Sequence, residues 1–447
     1  MNVPLTPLDG RYKSKIEPLV AFLSESALIK HRLFVEIAWL KYLCEQIRKP
    51  IDGEITAKLD DLIINFSETN CTEVREIEKS ISHDVKAVEI WISDRLKDWN
   101  QESLIPFVHF SRTSEDINNV AYALMLKDAR DNVLLPKLAE VCAVLEKMAT
   151  ECANMPMLSH THGQPASPTT FGKEIAVFAH RLSVQIEYIT STKIQAKFNG
   201  ATGTFGADVV AYPEIDWPML MKSFVETLGL DYNPLTTQIE SHDWIARLNN
   251  EIALSGTIAI DLCRDFWAYI SLGYLKQTVA KGQVGSSTMP HKVNPIDFEN
   301  AESNFGLANA LLRHLSEKLP ISRLQRDLSD SSALRSLSTA YGHFYLALQS
   351  LERGLSKVYA DPGQMTADLV NEWAVLTEAV QTIMRKNGIP DAYNQMKDLS
   401  RGKPLDKETL HAFIQGLDID DKDKQVLLDL TPQTYIGLAS NLAKILE

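Results

Sequence analysis

Little in this sequence asks for a β-sheet. Stretches that alternate apolar and polar residues at period two between turn residues, the mark of a half-buried strand, are scarce. No apolar run approaches the roughly 20 residues needed to span a bilayer, which argues against a membrane-spanning helix. Five cysteines, Cys44, Cys71, Cys142, Cys152 and Cys263, form no CxxC pair and show no metal-ligand spacing. A scattered, odd set of thiols suits a reducing compartment, with most of them serving as small core residues. Positive charge is also in deficit: 45 Lys and Arg face 58 Asp and Glu, a formal net charge of −13. That balance excludes a general binder of nucleic acid or of anionic membranes. It leaves room for an anionic substrate, because salt screens a distant field within about 10 Å and a few arginines can dominate one pocket. Met1 to Tyr12 lacks the apolar stretch of a secretory signal, so the expected location is the cytoplasm.

What is present is helical patterning. The 447 residues, 45% hydrophobic and 23% charged, have the composition of a soluble protein with room for two or three domains. No proline falls between Leu235 and Met289, and Ile245, Leu248, Ile252, Ser255, Ala259, Leu262, Phe266 and Tyr269 recur in steps of three and four. That stripe predicts a helix of about 35 residues and roughly 50 Å. Similar patterns cover Glu115 to Met148, Phe171 to Phe198 and Glu299 to Leu319. The expectation is an all-α protein in three helical domains: residues 1–111, a central bundle of long helices at 112–356, and shorter helices at 357–447. The apolar stripes look too wide for one chain to cover, which predicts packing between subunits.

The residues that carry chemistry fall in loops between these helices. In Lys281 to Glu302, a glycine- and serine-bearing loop leads into a helix start with Asn294 at the N-cap, Pro295 at N1 and Asp297 at N3. A helix start with Lys292 beside it attracts anions; the plainer reading is an exposed connection before an ordinary capped helix. Leu158 to Pro168 reads as a loop with His160 and His162 two residues apart. Three readings stand there: a metal pair, for which no third ligand is evident; a solvated loop; or a general acid, to which imidazole is suited at neutral pH. Asp9-Gly10-Arg11-Tyr12, Ser82-His83-Asp84 and Arg326 to Arg335 mix arginines with hydroxyls, as a phosphate monoester requires. Each taken singly also fits a surface salt-bridge patch.

GSSTMPHKVNP at Gly285 to Pro295 resembles the signature loop of the fumarase/aspartase superfamily, and His291 within it resembles the adenylosuccinate lyase and carboxymuconate cycloisomerase branches. DGRY at Asp9, HDVKAVE at His83, TSEDINN at Thr113, THGQPASP at Thr161, TTQIE at Thr236 and RDLSDSSALR at Arg326 are similar to the bacterial adenylosuccinate lyase family over nearly the whole chain. Two positions depart from it: Ser82 stands where relatives often carry Asn, and His160 where some carry Arg.

The resemblance implies a homotetramer with active sites built from three subunits, and β-elimination of fumarate from adenylosuccinate and from its imidazole carboxamide analogue. It implies no cofactor, no metal, and neither a nucleic-acid nor a membrane partner. By motif position Ser286 is the base, His162 the general acid, Glu299 the carboxylate that orients the acid, and Lys292 a stabiliser of the dianion. Arg11, Tyr12, Ser82, His83, Asp84, Arg326, Ser331, Ser332 and Arg335 are implied at the phosphate and sugar. Thr113, Ser114, Gln238, Ser287, Val293, Asn294 and Asn300 are implied among the remaining substrate contacts. The alternatives are another lyase or cycloisomerase of the superfamily, and a non-catalytic helical scaffold.

Overall fold

A computed structural model of the chain describes residues 4–278, 289, 291–402 and 404–445. Its architecture is all-α. Among the described residues, strands occur only as three two-stranded pairs. The helices used below are α1 (Glu25–Gln46), α2 (Glu68–Ile81), α3 (Asp84–Asp98), α4 (Ser114–Ala129), α5 (Leu135–Glu151), α6 (Phe171–Ser191), α7 (Asp243–Ser271), α8 (Ile296–Lys318) and α9 (Leu337–Leu355). One hairpin, β1 (Pro156–Thr161) and β2 (Gln164–Thr170), lies between α5 and α6. No helix among the described residues is long and apolar enough to cross a membrane.

The helix starts follow from short polar caps. Ser24 Oγ accepts from Ala27 N at 3.0 Å ahead of α1. Ser67 and Asn70 satisfy one another's backbone N–H groups at the start of α2. The His83 ring caps α3 through Nδ1, which accepts from Lys86 N at 3.0 Å. In the stripe expected along α7, Ile245, Leu248, Ile252, Ser255, Ala259, Leu262 and Phe266 are all buried, and Tyr269 is half-buried. Burial of each large apolar side chain is worth about 1.5–3 kcal/mol. The helix itself is 29 residues, about 43 Å, shorter than the 35 expected, and it starts at Asp243. The eight residues before it form an irregular segment that the proline-free stretch had hidden.

The chain groups into two compact units. The first takes residues up to Leu138, Gln185–Thr257 and Ser303–Gln349; the second takes Ala139–Val184, Ile258–Glu302 and the chain from Ser350 on. In the first, Ile29, Leu33, Ile37 and Leu40 of α1 pack with Cys71 and Val74 of α2 and Trp91 of α3. In the second, Leu158 of the hairpin packs with Leu369, Val380, Met384, Leu410 and Ile414 from the short C-terminal helices.

The second unit also contains a close approach that only glycine permits. A Cβ on Gly172, in the first turn of α6, would meet Ala149 O at 2.3 Å and Ala153 N at 2.6 Å. Both are backbone atoms, so no rotamer change relieves the clash. Gly172→Ala is therefore expected to lower stability by about 1–3 kcal/mol; urea melts of the two proteins check this, and an unchanged midpoint refutes it.

Candidate active site

Five of the sequence-predicted segments meet inside the first unit. Asp84, at the start of α3, accepts from Arg32 Nη2 at 2.7 Å and from Arg335 Nη2 at 3.2 Å. Burial works to raise the Asp84 carboxyl, but the Arg32 guanidinium, with help from Arg335, outweighs it and holds the group below the usual carboxylate range. Arg335 in turn donates to Ser331 Oγ at 3.2 Å and lies 3.2 Å from Glu25. Ser114, in the first turn of α4, lies 3.5 Å from His83 Nε2, the nitrogen left over after capping. Arg326 sits 2.8 Å from the buried carboxylate of Glu115.

Nearby, Gln238 Nε2 donates to Ala201 O at 2.9 Å. Ser82 closes α2 in the left-handed region at φ 57, and its side chain is exposed, as is that of Ser332. Arg11 is exposed, with its guanidinium 5.9 Å from the ring centroid of Tyr12. A cavity of about 290 Å³ opens beside Arg335, lined by Asp9, Leu19, Ser24, Glu25 and Tyr122.

Under this cluster lies a set of charges that sequence reading did not single out. Asp116 is fully buried; its Oδ2 accepts from Thr113 N at 2.9 Å, and its Oδ1 accepts from Asn199 N at 3.1 Å and Gly200 N at 3.3 Å. Lys197 Nζ, also fully buried, stands 2.9 Å from the same Oδ1 and donates to Gly200 O at 2.8 Å. The pattern Thr113-x-x-Asp116 is a capping signature and was a readable signal for the first of these bonds. The partners 81 and more residues away left none.

In the second unit the stretch expected as a loop is the β1–β2 hairpin, joined by the two-residue turn His162-Gly163. Both turn residues have positive φ, 53 and 72, as a type I′ turn requires. The prolines and serines of Leu158 to Pro168 conceal strand pattern, and the His-Gly turn is the signal that was overlooked. It places His162 at an exposed tip, with no hydrogen-bond partner among the described residues; His160, also exposed, pairs in register with Pro165.

Glu299 accepts from Trp267 Nε1 at 3.3 Å, and no hydrogen bond joins it to His162. Helix α8 begins at Ile296, one residue later than expected. The Asp297 carboxylate accepts from Arg353 Nε and Lys357 Nζ, both at 2.7 Å. Lys292 is exposed, Val293 O accepts from Gln277 Nε2 at 3.0 Å, and Asn300 Oδ1 accepts from Ser350 Oγ at 2.7 Å. Asn294 is half-buried. Ser286 and Ser287 lie outside the described residues.

Fold and matched families together define a lyase. The model of the family described as Lyase matches residues 10–307, and that described as Adenylosuccinate lyase C-terminal matches residues 322–436. The fold is similar to a fumarate lyase from Mesorhizobium sp. BNC1 (TM-score 0.75, 18% identity, 96% of each chain). It is equally similar to a 3-carboxy-cis,cis-muconate lactonizing enzyme from Pseudomonas putida (TM-score 0.75, 20% identity, 97% of each chain).

The sequence narrows this further. It is 46% identical over 445 residues to the adenylosuccinate lyase of Legionella pneumophila (strain Corby), covering 98% of both chains. It is 43% identical over 448 residues to that of Escherichia coli (strain K12), covering 99% of this chain and 98% of the relative. The chain belongs to the adenylosuccinate lyase family.

Removing the buried carboxylate under the site tests how much the site leans on it. Asp116→Ala strands the Lys197 ammonium in the interior and is expected to cost about 3–5 kcal/mol. Burial raises the Asp116 carboxyl, while Lys197 and then Arg112 outweigh it and depress its pKa. A depressed carboxyl gives stability above its unfolded value and loses it as the pH falls through the folded value. Wild-type stability should therefore decline below about pH 4, and that part of the decline should be missing in Asp116→Ala; chemical denaturation across pH reads both.

Proposed function

We propose that this chain eliminates fumarate from adenylosuccinate to give AMP, and from the succinylaminoimidazole carboxamide ribotide to give its amide product. The observation that carries the reading is identity of 43–46% to adenylosuccinate lyases over essentially the full length of both sequences. The meeting of Ser114, His83, Asp84, Arg335, Ser331 and Arg326 in one unit supports it, because hydroxyls, an imidazole and two guanidinium groups suit a nucleotide monophosphate.

In the proposed mechanism a base removes a proton from the carbon next to a succinyl carboxylate. Negative charge then grows on that carboxylate. Ser286 is the base, and Lys292 with the start of α8 stabilises both its alkoxide and the dianion. The C–N bond breaks, the electron pair leaves with the purine nitrogen, and His162 supplies that nitrogen with a proton. The tip of a tight hairpin suits this task, since it leaves the His162 side chain exposed. Glu299 orients the acid supplied by another subunit, and Ser287, Val293, Asn294 and Asn300 contact the substrate beside it. The phosphate and sugar lie against Arg11, Tyr12, Ser82, His83, Asp84, Arg326, Ser331, Ser332 and Arg335, with Thr113, Ser114 and Gln238 toward the base and succinyl group. The mechanism calls for no cofactor or metal.

The protein acts as a cytoplasmic homotetramer with active sites shared between subunits, and its domains are residues 1–111, 112–356 and 357–447. Val177 and Tyr188 of α6, Leu254 and Trp267 of α7 and Leu307 of α8 are exposed in the single chain, which supports burial of these helices against further copies.

Incubation of the purified protein with adenylosuccinate should release AMP and fumarate in equal amounts, and no release sinks the reading. Ser286→Ala should abolish turnover with substrate binding largely kept, and Lys292→Ala should slow it by roughly 10²–10³. His162→Gln should slow leaving-group departure far more than His160→Gln; the reverse order in steady-state rates would move the acid to His160.

A further inference from the structure

Outside the capping and phosphate contacts, a buried histidine of the first unit has no assigned task. His242 immediately precedes α7, is 2% exposed, and is held at φ 60, in the left-handed region that favours glycine. A carboxylate faces each of its ring nitrogens. Asp330 Oδ2 lies 3.6 Å from Nε2, and Glu240 Oε2 lies 3.7 Å from Nδ1 and also accepts from the His242 backbone N at 2.7 Å. Glu115 completes the set: one donor atom from each of Glu115, His242 and Asp330 lies within 4.8 Å of the others. All three carboxylates are buried, and Arg326 brings a further charge 2.8 Å from Glu115. At 3.6 and 3.7 Å these are ion-pair contacts beyond hydrogen-bond reach, and among the described residues Nε2 has no hydrogen-bond partner, so the pairing is one of charge. Two-sided carboxylates therefore ask for the charged form.

Each carboxylate is a sequence neighbour of a residue placed at the substrate. Glu115 follows Ser114, Asp330 precedes Ser331, and Glu240 stands two residues after Gln238. Asp330 also binds its own neighbour, its Oδ1 accepting from Ser331 N at 2.7 Å. We infer that His242 is a positioning residue, a buried imidazolium that holds the segments carrying Ser114, Gln238 and Arg326 to Ser331 in register for the nucleotide. The inference rests on the function proposed above. It fixes how the pocket binds rather than how the bond breaks, so its loss falls on KM. Burial opposes the charge on His242, but Asp330, Glu115 and Glu240 outweigh it and raise its pKa above the ordinary histidine value. The wild-type KM should accordingly stay level through neutrality and rise only as the pH climbs through that elevated value.

The test compares wild type with His242→Leu and Asp330→Asn, measuring kcat and KM for adenylosuccinate between about pH 6 and 9.5, with thermal melting alongside. His242→Leu is expected to raise KM about tenfold or more with kcat within about threefold, and to lose the alkaline rise in KM. Asp330→Asn should move KM in the same direction by less, because Glu115 and Glu240 still face the ring. It also carries the test should His242→Leu fail to fold. KM within twofold of wild type in the folded variants, or a loss confined to kcat, overturns the inference. So does one divalent metal per chain in the purified protein whose removal alone shifts KM, for a cation would then be the hub. An inactive wild type would overturn the functional reading itself; an active one with indifferent variants overturns only the role of His242.

Discussion

A carboxylate with no exposed surface has to be matched by donors on every side, and Asp116 shows what that demand organises. One oxygen takes the backbone N–H of Thr113, fixing the start of α4. The other takes Asn199 N, Gly200 N and the Lys197 ammonium, so a loop far along the chain is drawn to the same point. Lys197 then closes back on Gly200 O, leaving little freedom in the loop. Thr113, bonded to this carboxylate through its backbone N, and Ser114 after it are residues the resemblance assigns to the substrate. The start of α4 and the loop at Asn199 and Gly200 are thus tied together by a charge pair that never meets solvent.

The same logic extends outward through charges that are only partly buried. Arg32 is nearly inaccessible and needs Asp84; Asp84 also holds Arg335, and Arg335 holds Ser331. A chain of charge-assisted bonds therefore joins α1, α3 and the short helix Ser329–Leu334. In the second unit the arrangement is simpler. A tight turn raises His162 clear of its hairpin, and the start of α8 is anchored by Arg353 and Lys357 gripping Asp297.

Long helices were legible because their signal is periodic and local. The α7 stripe from Ile245 to Phe266 is buried as its spacing implies, while the helix is shorter than expected because the absence of proline permits a helix without requiring one. The hairpin around His162 was not legible as strand, since its residues are largely proline, serine and threonine and its pairing is fixed by the turn. Candidate site residues stand out in the sequence as motifs, yet their bonding partners do not. Nothing near Asp297 in sequence points to Arg353, and nothing near Glu299 points to Trp267. Long-range pairing of charges leaves no periodic trace, so a single sequence names the groups without saying which of them share a bond.

The crowding at Arg335 has a bearing on selectivity. Its guanidinium already serves Asp84, Glu25 and Ser331 before any nucleotide arrives. In the proposed reading, docking of a phosphate is consequently a trade of one set of anionic partners for another, and net attraction is the difference between two pairings. A singly charged diester brings little advantage over the carboxylates it displaces, whereas a terminal dianion does. On that reading, a phosphate at a chain end or on a free nucleotide competes better for Arg335 than one within a polymer.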